Sequence, residues 1–101
     1  MTQLSVTFAG DSCVQLCGEL DAGTVAHLRD HFQHLRGPVV IDCQQLSFID
    51  SSGIFALEEL ALRGGTVTLR AALPMLRRLL NICNVTSTIV CEDQDQALIS
   101  N

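Results

Sequence analysis

The side chains with the clearest chemical potential in this sequence stand together in one motif, Asp50-Ser51-Ser52-Gly53, near the middle of the chain. A serine hydroxyl can accept a phosphoryl group, and Asp and Ser are also among the residues that most often begin a helix. The free backbone N–H groups of a helix N-terminus favour added negative charge. The motif therefore has two interpretations: an ordinary helix cap, or an accessible serine that is a target for phosphorylation.

An apolar strand is predicted to lead into the motif. The run from Val39 to Cys43 is apolar and β-branched except at Asp42, a composition typical of a buried strand. A short polar turn is expected next, after which three apolar side chains return to the core: Leu46, Phe48 and Ile49. The motif follows directly, so it is expected where a strand-loop unit ends.

A helix is predicted to begin at the motif. Ile54, Leu57 and Ala61 recur at helical spacing, and the helix is expected from Asp50 to Arg63. Two consecutive glycines, at positions 64 and 65, are expected to end it.

The N-terminal part of the chain predicts a β-hairpin and then a helix. Strands are expected over residues 4–9 and 13–17 around a tight turn, with Val14 and Leu16 facing the core. A loop is expected at residues 18–21, and Asp21 or Thr24 is expected to cap the helix. Gly37-Pro38 is expected to end this helix. Its apolar stripe consists of Val25, Leu28, Phe32 and Leu35.

The C-terminal part predicts further alternation of strands and helices. A strand is expected at residues 66–69, followed by a helix that begins at Pro74 and stops at Asn84. A last strand is expected within residues 85–91, and a short acidic helix start follows at residues 92–95. The apolar face of the Pro74 helix consists of Leu76, Leu79, Leu80 and Cys83. Because strands and helices alternate after residue 20, the sheet is expected to be largely parallel.

Size and composition limit the classes of function. A chain of 101 residues with 48% hydrophobic residues is expected to form one domain, residues 1–101, with a core of its own. The formal net charge of −5 argues against nucleic-acid binding, which needs a basic surface. No apolar stretch reaches the roughly 20 residues of a membrane span, and the first residues do not resemble a signal peptide. A cytoplasmic protein is therefore expected.

Other constellations of reactive side chains carry less weight. His27, His31 and His34 follow one stripe of the first helix, and two histidines at this spacing can bind zinc. No nearby Cys or acid completes an obvious ligand set, so the stripe is expected to be solvated, with no metal or other cofactor bound. The sequence has no Gly-x-Ser-x-Gly motif to go with these histidines, so no enzyme activity is expected. Arg77 and Arg78 are expected to be solvated charges or, as the alternative, contacts to a phosphate or a partner.

The five cysteines are expected to be reduced thiols that serve packing. Their number is odd, and no Cys-x-x-Cys pair is present. Cys13 and Cys17 share a strand face, but their Cα atoms would lie about 13 Å apart, too far for a disulfide.

Two stretches of the chain resemble the STAS domain, in particular the anti-sigma factor antagonists of bacteria. The first is Phe48-Ile49-Asp50-Ser51-Ser52-Gly53-Ile54, which resembles the family's switch motif. The second is Gly18-Glu19-Leu20-Asp21 followed by a helix, and the later strand and Arg-Leu-rich helix also look like family elements. The resemblance covers nearly the whole chain. It implies a single α/β STAS domain: a mixed sheet of four or five strands with helices mainly on one face.

The resemblance also implies a function and its residues. In this family the first hydroxyl residue after the Asp is the phosphoacceptor, which here is Ser51, and Ser52 caps or supports the loop. The unphosphorylated protein would bind an anti-sigma factor that is itself a serine kinase, and so release a sigma factor for transcription. ATP-dependent phosphorylation of Ser51 would end this binding, and a serine phosphatase would restore it. The implied partner-binding residues are Asp21, Asp50, Ser51, Ser52 and Gly53.

A second function is implied by the same family. STAS domains also serve as small components of lipid-transport ABC systems, in which they bind the ATPase subunit. The Asp-Ser-Ser-Gly form of the motif favours the phosphorylation switch over this alternative.

Overall fold

The computed structural model describes residues 3–10, 12–33, 35, 37–64, 66–84 and 89–92. Its strands are β1 (Leu4–Phe8), β2 (Cys13–Leu20), β3 (Val39–Ile49), β4 (Val67–Arg70) and β5 (Ile89–Cys91). Its helices are α1 (Val25–Phe32), α2 (Ser51–Gly64) and α3 (Pro74–Cys83).

The strands form one five-stranded sheet in the order β1-β2-β3-β4-β5. β1 pairs with β2 in antiparallel orientation, and every later pair is parallel. Each parallel connection contains one helix, and α2 packs against both α1 and α3, so the helices form a layer on one face. This confirms the predicted mixed sheet and its helical layer.

The core lies between the sheet and the helical layer and is almost entirely aliphatic. Phe32 is buried, whereas the other three phenylalanines are exposed. The predicted inward orientation of Val14 and Leu16 on β2 is confirmed, because both side chains are inaccessible to solvent. Side chains from the helices that close this core include Leu28, Ile54, Leu57, Leu76 and Leu80.

β3 contains two bulges and continues to Ile49, so the prediction of a turn after Cys43 is wrong. Gln15 of β2 pairs with Asp42 of β3, and Cys17 pairs with Gln45. Between these two pairs β2 has one residue and β3 has two, so β3 carries one extra residue there. A second shift lies between the pairs Gly18↔Leu46 and Glu19↔Phe48. In a regular strand every second side chain points inwards, whereas across each bulge the next inward side chain is three residues on. The strand itself continues through both bulges.

The second bulge also explains why Phe48 is not in the core. Leu46 and Ile49 are buried, as predicted, but Phe48 between them faces outwards and is 41% exposed. The prediction that Phe48 returns to the core is therefore wrong.

β2 continues through the stretch that is predicted to be a loop. Gly18 has a φ of 112°, and a side chain on it would clash with the carbonyl oxygen of Gln3. The N–H of Glu19 donates to that same oxygen over 3.0 Å. Glycine therefore lets the strand pass close to the start of β1 and continue to Leu20.

The limits of α3 agree with the sequence prediction, whereas α1 is shorter than expected. Pro74 occupies the first turn of α3, and Asn84 ends it in the left-handed conformation, with φ 60° and ψ 43°. α1 ends at Phe32, ahead of the predicted stop at Gly37-Pro38. Most of the predicted final strand before Ile89, and the predicted helix start beyond Glu92, lie outside the described residues.

Candidate functional site

The Asp-Ser-Ser-Gly motif lies where β3 ends and α2 begins, and Asp50 caps the helix. The backbone N–H of Gly53 donates to Asp50 Oδ1 over 3.2 Å, and the N–H of Ile54 donates to the Asp50 carbonyl over 3.1 Å. The helix-cap interpretation is therefore confirmed for Asp50. With the aspartate serving as the cap, neither serine hydroxyl is needed for that purpose.

Ser51 is the exposed hydroxyl of the site. It is the first residue of α2 and is exposed, whereas Ser52 is half-buried. Across the described part of the chain, neither hydroxyl makes a hydrogen bond to another protein group. Ser51 Oγ is therefore open to solvent and to any partner that covers the start of α2.

Gly53 is predicted from the sequence to contact a partner, but the structure places it inside the protein. A Cβ at this position would lie 2.7 Å from Leu20 Cγ and 2.9 Å from Ile49 Cγ1. These distances are too short for non-bonded carbon atoms. Gly53 therefore allows the first turn of α2 to pack directly on the ends of β2 and β3, which is a packing role.

Asp21 lies beside the motif because β2 and β3 end together. Leu20 is paired with Ile49, and the N–H of Asp50 donates to the Leu20 carbonyl over 3.2 Å. The carboxylate of Asp21 accepts the N–H groups of Gly23 and Thr24 over 2.9 and 3.1 Å. The structure thus brings together Asp21 and the motif at the carboxyl edge of the parallel strands.

Thr24, at the N-cap position of α1, uses its hydroxyl inside the protein. It is 7% exposed, donates to the Glu19 carbonyl over 2.8 Å and accepts the Asp21 N–H over 3.0 Å. No side-chain capping bond to α1 is formed by Thr24 itself. Its hydroxyl therefore ties the end of β2 to the start of α1.

A shallow groove runs from Ser51 to α3, and we call it the α3 groove. Ser51 and Asp50 line one side, and Arg78 on α3 lines the other. Ile49, Met75, Leu79 and Ile82 supply its apolar lining. Several apolar side chains on and around this surface are exposed: Phe48, Leu73, Met75 and Ile82. This groove has no local sequence signal, because its two sides are more than twenty residues apart in the chain.

The two described histidines of α1, His27 and His31, contact each other. The rings of His27 and His31 are 4.5 Å apart between centroids, and His31 Nδ1 lies 2.9 Å from the His27 carbonyl oxygen. His34 lies outside the described residues. Among the residues that the structure does describe, no three His, Cys, Asp or Glu side chains are grouped to hold a metal.

The cysteines differ in exposure and in acidity. Burial raises the pKa of the Cys43 thiol to about 12, and the nearby Asp42 and Cys91 add to this shift. Burial also raises the pKa of Cys91, although Arg77 opposes the change. Cys17, in contrast, is exposed on β2. Cys43 and Cys91 are thus poor nucleophiles near neutral pH, in line with a packing role.

No helix in the described ranges has the length and apolar character that crossing a bilayer would require.

Comparison with solved structures shows a shared fold at low sequence identity. An anti-sigma factor antagonist from Mycobacterium paratuberculosis matches with a TM-score of 0.74 and 21% identity, over 99% of this chain and 93% of that chain. The anti-sigma factor antagonist SpoIIAA, in its unphosphorylated form, matches with a TM-score of 0.63 and 21% identity, over 95% and 93%. A sulfate transporter family protein from Wolinella succinogenes matches with a TM-score of 0.63 and 18% identity, over 95% and 88%.

Sequence comparison identifies the family. No curated protein sequence matches this chain significantly. A family model of the STAS domain matches residues 5–97. This range contains all three helices and all five strands described above, except for Leu4 at the start of β1. The chain therefore belongs to the STAS domain family.

Proposed function

We propose that this protein is an anti-sigma factor antagonist whose binding is controlled by phosphorylation of Ser51. Its unphosphorylated form binds an anti-sigma factor that is a serine kinase, and a sigma factor is released. Phosphorylation ends the binding, and a serine phosphatase restores it. The protein acts as one domain, residues 1–101, in the bacterial cytoplasm, without enzyme activity or a cofactor of its own.

The observation that carries this proposal is the exposed, unbonded hydroxyl of Ser51 beside an aspartate that already caps the helix. In the transfer, Ser51 Oγ attacks the γ-phosphorus of ATP. A bond from Oγ to phosphorus forms, the bond to the ADP oxygen breaks, and the hydroxyl proton passes to a base on the kinase. The serine needs only to be accessible and free of competing hydrogen bonds, and Ser51 meets both conditions.

The surroundings of Ser51 support a protein partner. Phe48, Leu73, Met75 and Ile82 are each at least 41% exposed. Met75 and Ile82 line the α3 groove, and Phe48 and Leu73 lie beside Ile49 and Met75 of that groove. Exposed apolar side chains grouped in one region are typical of the central part of a protein–protein interface. A kinase that reaches Ser51 Oγ must cover this region, so it would bury these side chains.

The switch then follows from charge. A phosphate adds about −1.5 to −2 charges to a surface that must be dehydrated for binding. An unpaired charge in a dry contact costs several kcal/mol, on the order of the free energy of a whole interface hot spot. Because the phosphate is attached at the start of α2, the helix dipole favours it, and the fold itself need not change.

Phosphorylation in vitro tests the proposal. The protein is incubated with candidate anti-sigma kinases and ATP, and the modified residue is mapped by mass spectrometry. We expect one phosphate on Ser51, and Ser51→Ala should abolish it while still binding the kinase. Ser52→Ala is the matched control and should be phosphorylated as the wild type is. Modification of Ser52 in the wild-type protein would overturn the assignment of the acceptor.

A transport function is the second candidate, because STAS domains also serve as components of lipid-transport ABC systems. In that case the protein would bind the ATPase subunit of such a system. A protein of the sulfate transporter family from Wolinella succinogenes shares the fold, so the fold is compatible with transport as well. Binding to such a subunit that is unaffected by Ser51→Ala, without binding to any anti-sigma kinase, would favour this candidate.

A further inference from the structure

Arg78 is a positively charged side chain that lines the α3 groove together with Ser51. It lies on α3, is exposed, and lines the same groove as Ser51 and Asp50. Among the described residues that line the groove, these three are polar, and Asp50 and Arg78 are the charged ones. A charge introduced on Ser51 would therefore face one acid on its own side and one guanidinium across the groove.

Arg78 also differs from the other described arginines in having no partner. Arg29 forms an ion pair with Glu59, Arg63 donates to the Phe32 carbonyl, and Arg70 pairs with Glu92. Arg77, its neighbour on α3, donates to the Glu92 carbonyl over 3.3 Å. Within the described ranges, Arg78 has neither a hydrogen bond nor an ion pair. Its guanidinium is thus available to a ligand.

We propose that Arg78 binds the phosphate carried by Ser51, so that the phosphorylated protein holds its own phosphate across the α3 groove. This inference rests on the proposed function to the extent that Ser51 is the residue that is modified. It goes further by naming the group in this chain that receives the phosphate.

The chemistry of the pair supports this assignment. A guanidinium presents parallel N–H donors that match two phosphate oxygens, and such charge-assisted bonds are about twice as strong as neutral ones. Met75, Leu79 and Ile82 are the apolar side chains that line the groove beside Arg78. A dianionic phosphate also competes for Arg78 better than the single carboxylate of Asp50.

Pairing of Arg78 with the phosphate on Ser51 would add a second effect of phosphorylation on the α3 groove. The phosphate would cover the apolar lining of the α3 groove and bring Arg78 with it. A partner that uses this groove would then meet an occupied surface as well as an added charge.

The test uses protein in which phosphoserine is incorporated at position 51 during translation, so that no kinase is needed. The second pKa of the phosphate, about 6 when free, is measured by ³¹P NMR titration. An adjacent guanidinium stabilises the dianion and lowers this pKa. Arg78→Gln should therefore raise it by about 0.5 unit or more, and Arg78→Lys should restore part of the shift because it keeps the charge.

Arg77→Gln is the matched control, since it removes the same charge one residue away and should change the phosphate pKa far less. Equal effects of Arg78→Gln and Arg77→Gln, or no effect of either, would overturn the inference. Melting temperatures of all variants check that they are folded. Because the phosphate is installed directly, this result is independent of whether any anti-sigma kinase modifies Ser51. Failure of the proposed function and failure of the Arg78 pairing can thus be distinguished.

Discussion

The starts of α1 and α2 are built in the same way but use their hydroxyl groups differently. In each, an aspartate follows a strand, and its Oδ1 accepts the N–H three residues ahead: 3.1 Å from Asp21 to Thr24 and 3.2 Å from Asp50 to Gly53. In each, the aspartate carbonyl also accepts the N–H four residues ahead. The two starts lie side by side, because β2 and β3 are adjacent parallel strands.

The difference lies in which position carries the hydroxyl. The residue three after the aspartate is buried at both starts, and the residue directly after it is exposed at both. At α1 the hydroxyl stands on the inward position as Thr24, where it forms internal hydrogen bonds. At α2 it stands on the outward position as Ser51, and the inward one is Gly53. The same backbone geometry therefore holds an internal, hydrogen-bonded hydroxyl at the start of α1 and an exposed hydroxyl at the start of α2.

The largest expected effect comes from filling the inward position at α2. Gly53→Val should lower the free energy of unfolding by about 1–3 kcal/mol, because its side chain would overlap Leu20 and Ile49. Urea denaturation followed by circular dichroism measures this loss. Gly53→Ala is the control and should cost less, since it adds one methyl group and favours the helix. Unchanged stability with weaker partner binding would show instead that Gly53 faces the partner.

A smaller loss is expected from removing the inward hydroxyl at α1. Thr24→Val keeps the shape of the side chain but leaves the Glu19 carbonyl and the Asp21 N–H without this partner. The cost should be about 1–2 kcal/mol, whereas Ser51→Ala should change stability by less than about 0.5 kcal/mol. Thr24→Ser, which retains the hydroxyl, should lose less than Thr24→Val. If Thr24→Val and Ser51→Ala were equally stable in urea, the contrast between the two starts would be wrong.

The smallest effect on stability, with the opposite sign, is expected from charge on the outward position. Ser51→Asp places a carboxylate in the first turn of α2 and should raise the free energy of unfolding by a few tenths of a kcal/mol, on the order of a helix-dipole interaction. It should also weaken binding to the anti-sigma kinase in part, because it carries about one charge, compared with nearly two for phosphate. Isothermal titration calorimetry measures the binding.

The neutral isostere Ser51→Asn is the matched control for this change. If Ser51→Asp bound as tightly as Ser51→Asn, local charge would be excluded as the switch, and bulk or a change specific to phosphate would remain.

Much of the fold could be predicted from the sequence because local signals agree with the tertiary structure. The strand at Val39, the cap at Asp50, the helix start at Pro74 and the left-handed stop at Asn84 are all signalled within a few residues of their positions. The order of strands and helices followed from the alternation of these signals. The resemblance implies that Asp21 and the motif both contact the partner, and the paired ends of β2 and β3 place them side by side.

The features that could not be predicted depend on residues distant in the chain. Judged from the local sequence, Gly18 is typical of a turn. Its close contact with the backbone of Gln3 explains why a glycine stands there within a continuous strand. The environment of Gly53 depends on Leu20, from another strand, and so its burial was not visible in the motif. Arg78 and Ser51 line one groove only because α3 packs beside the start of α2, and no local sequence signal indicates this packing.

The two bulges of β3 make this strand tolerant to changes in its length. Each bulge adds one outward residue between two inward ones: Gln44 or Gln45 between Cys43 and Leu46, and Ser47 or Phe48 between Leu46 and Ile49. Deleting one residue from either pair would restore simple alternation and leave every buried side chain on its own face. A deletion elsewhere in the strand would move the side chains that follow it to the opposite face of the sheet. Deletions in such a strand therefore have two permitted places, both within a buried element and both just ahead of Ser51.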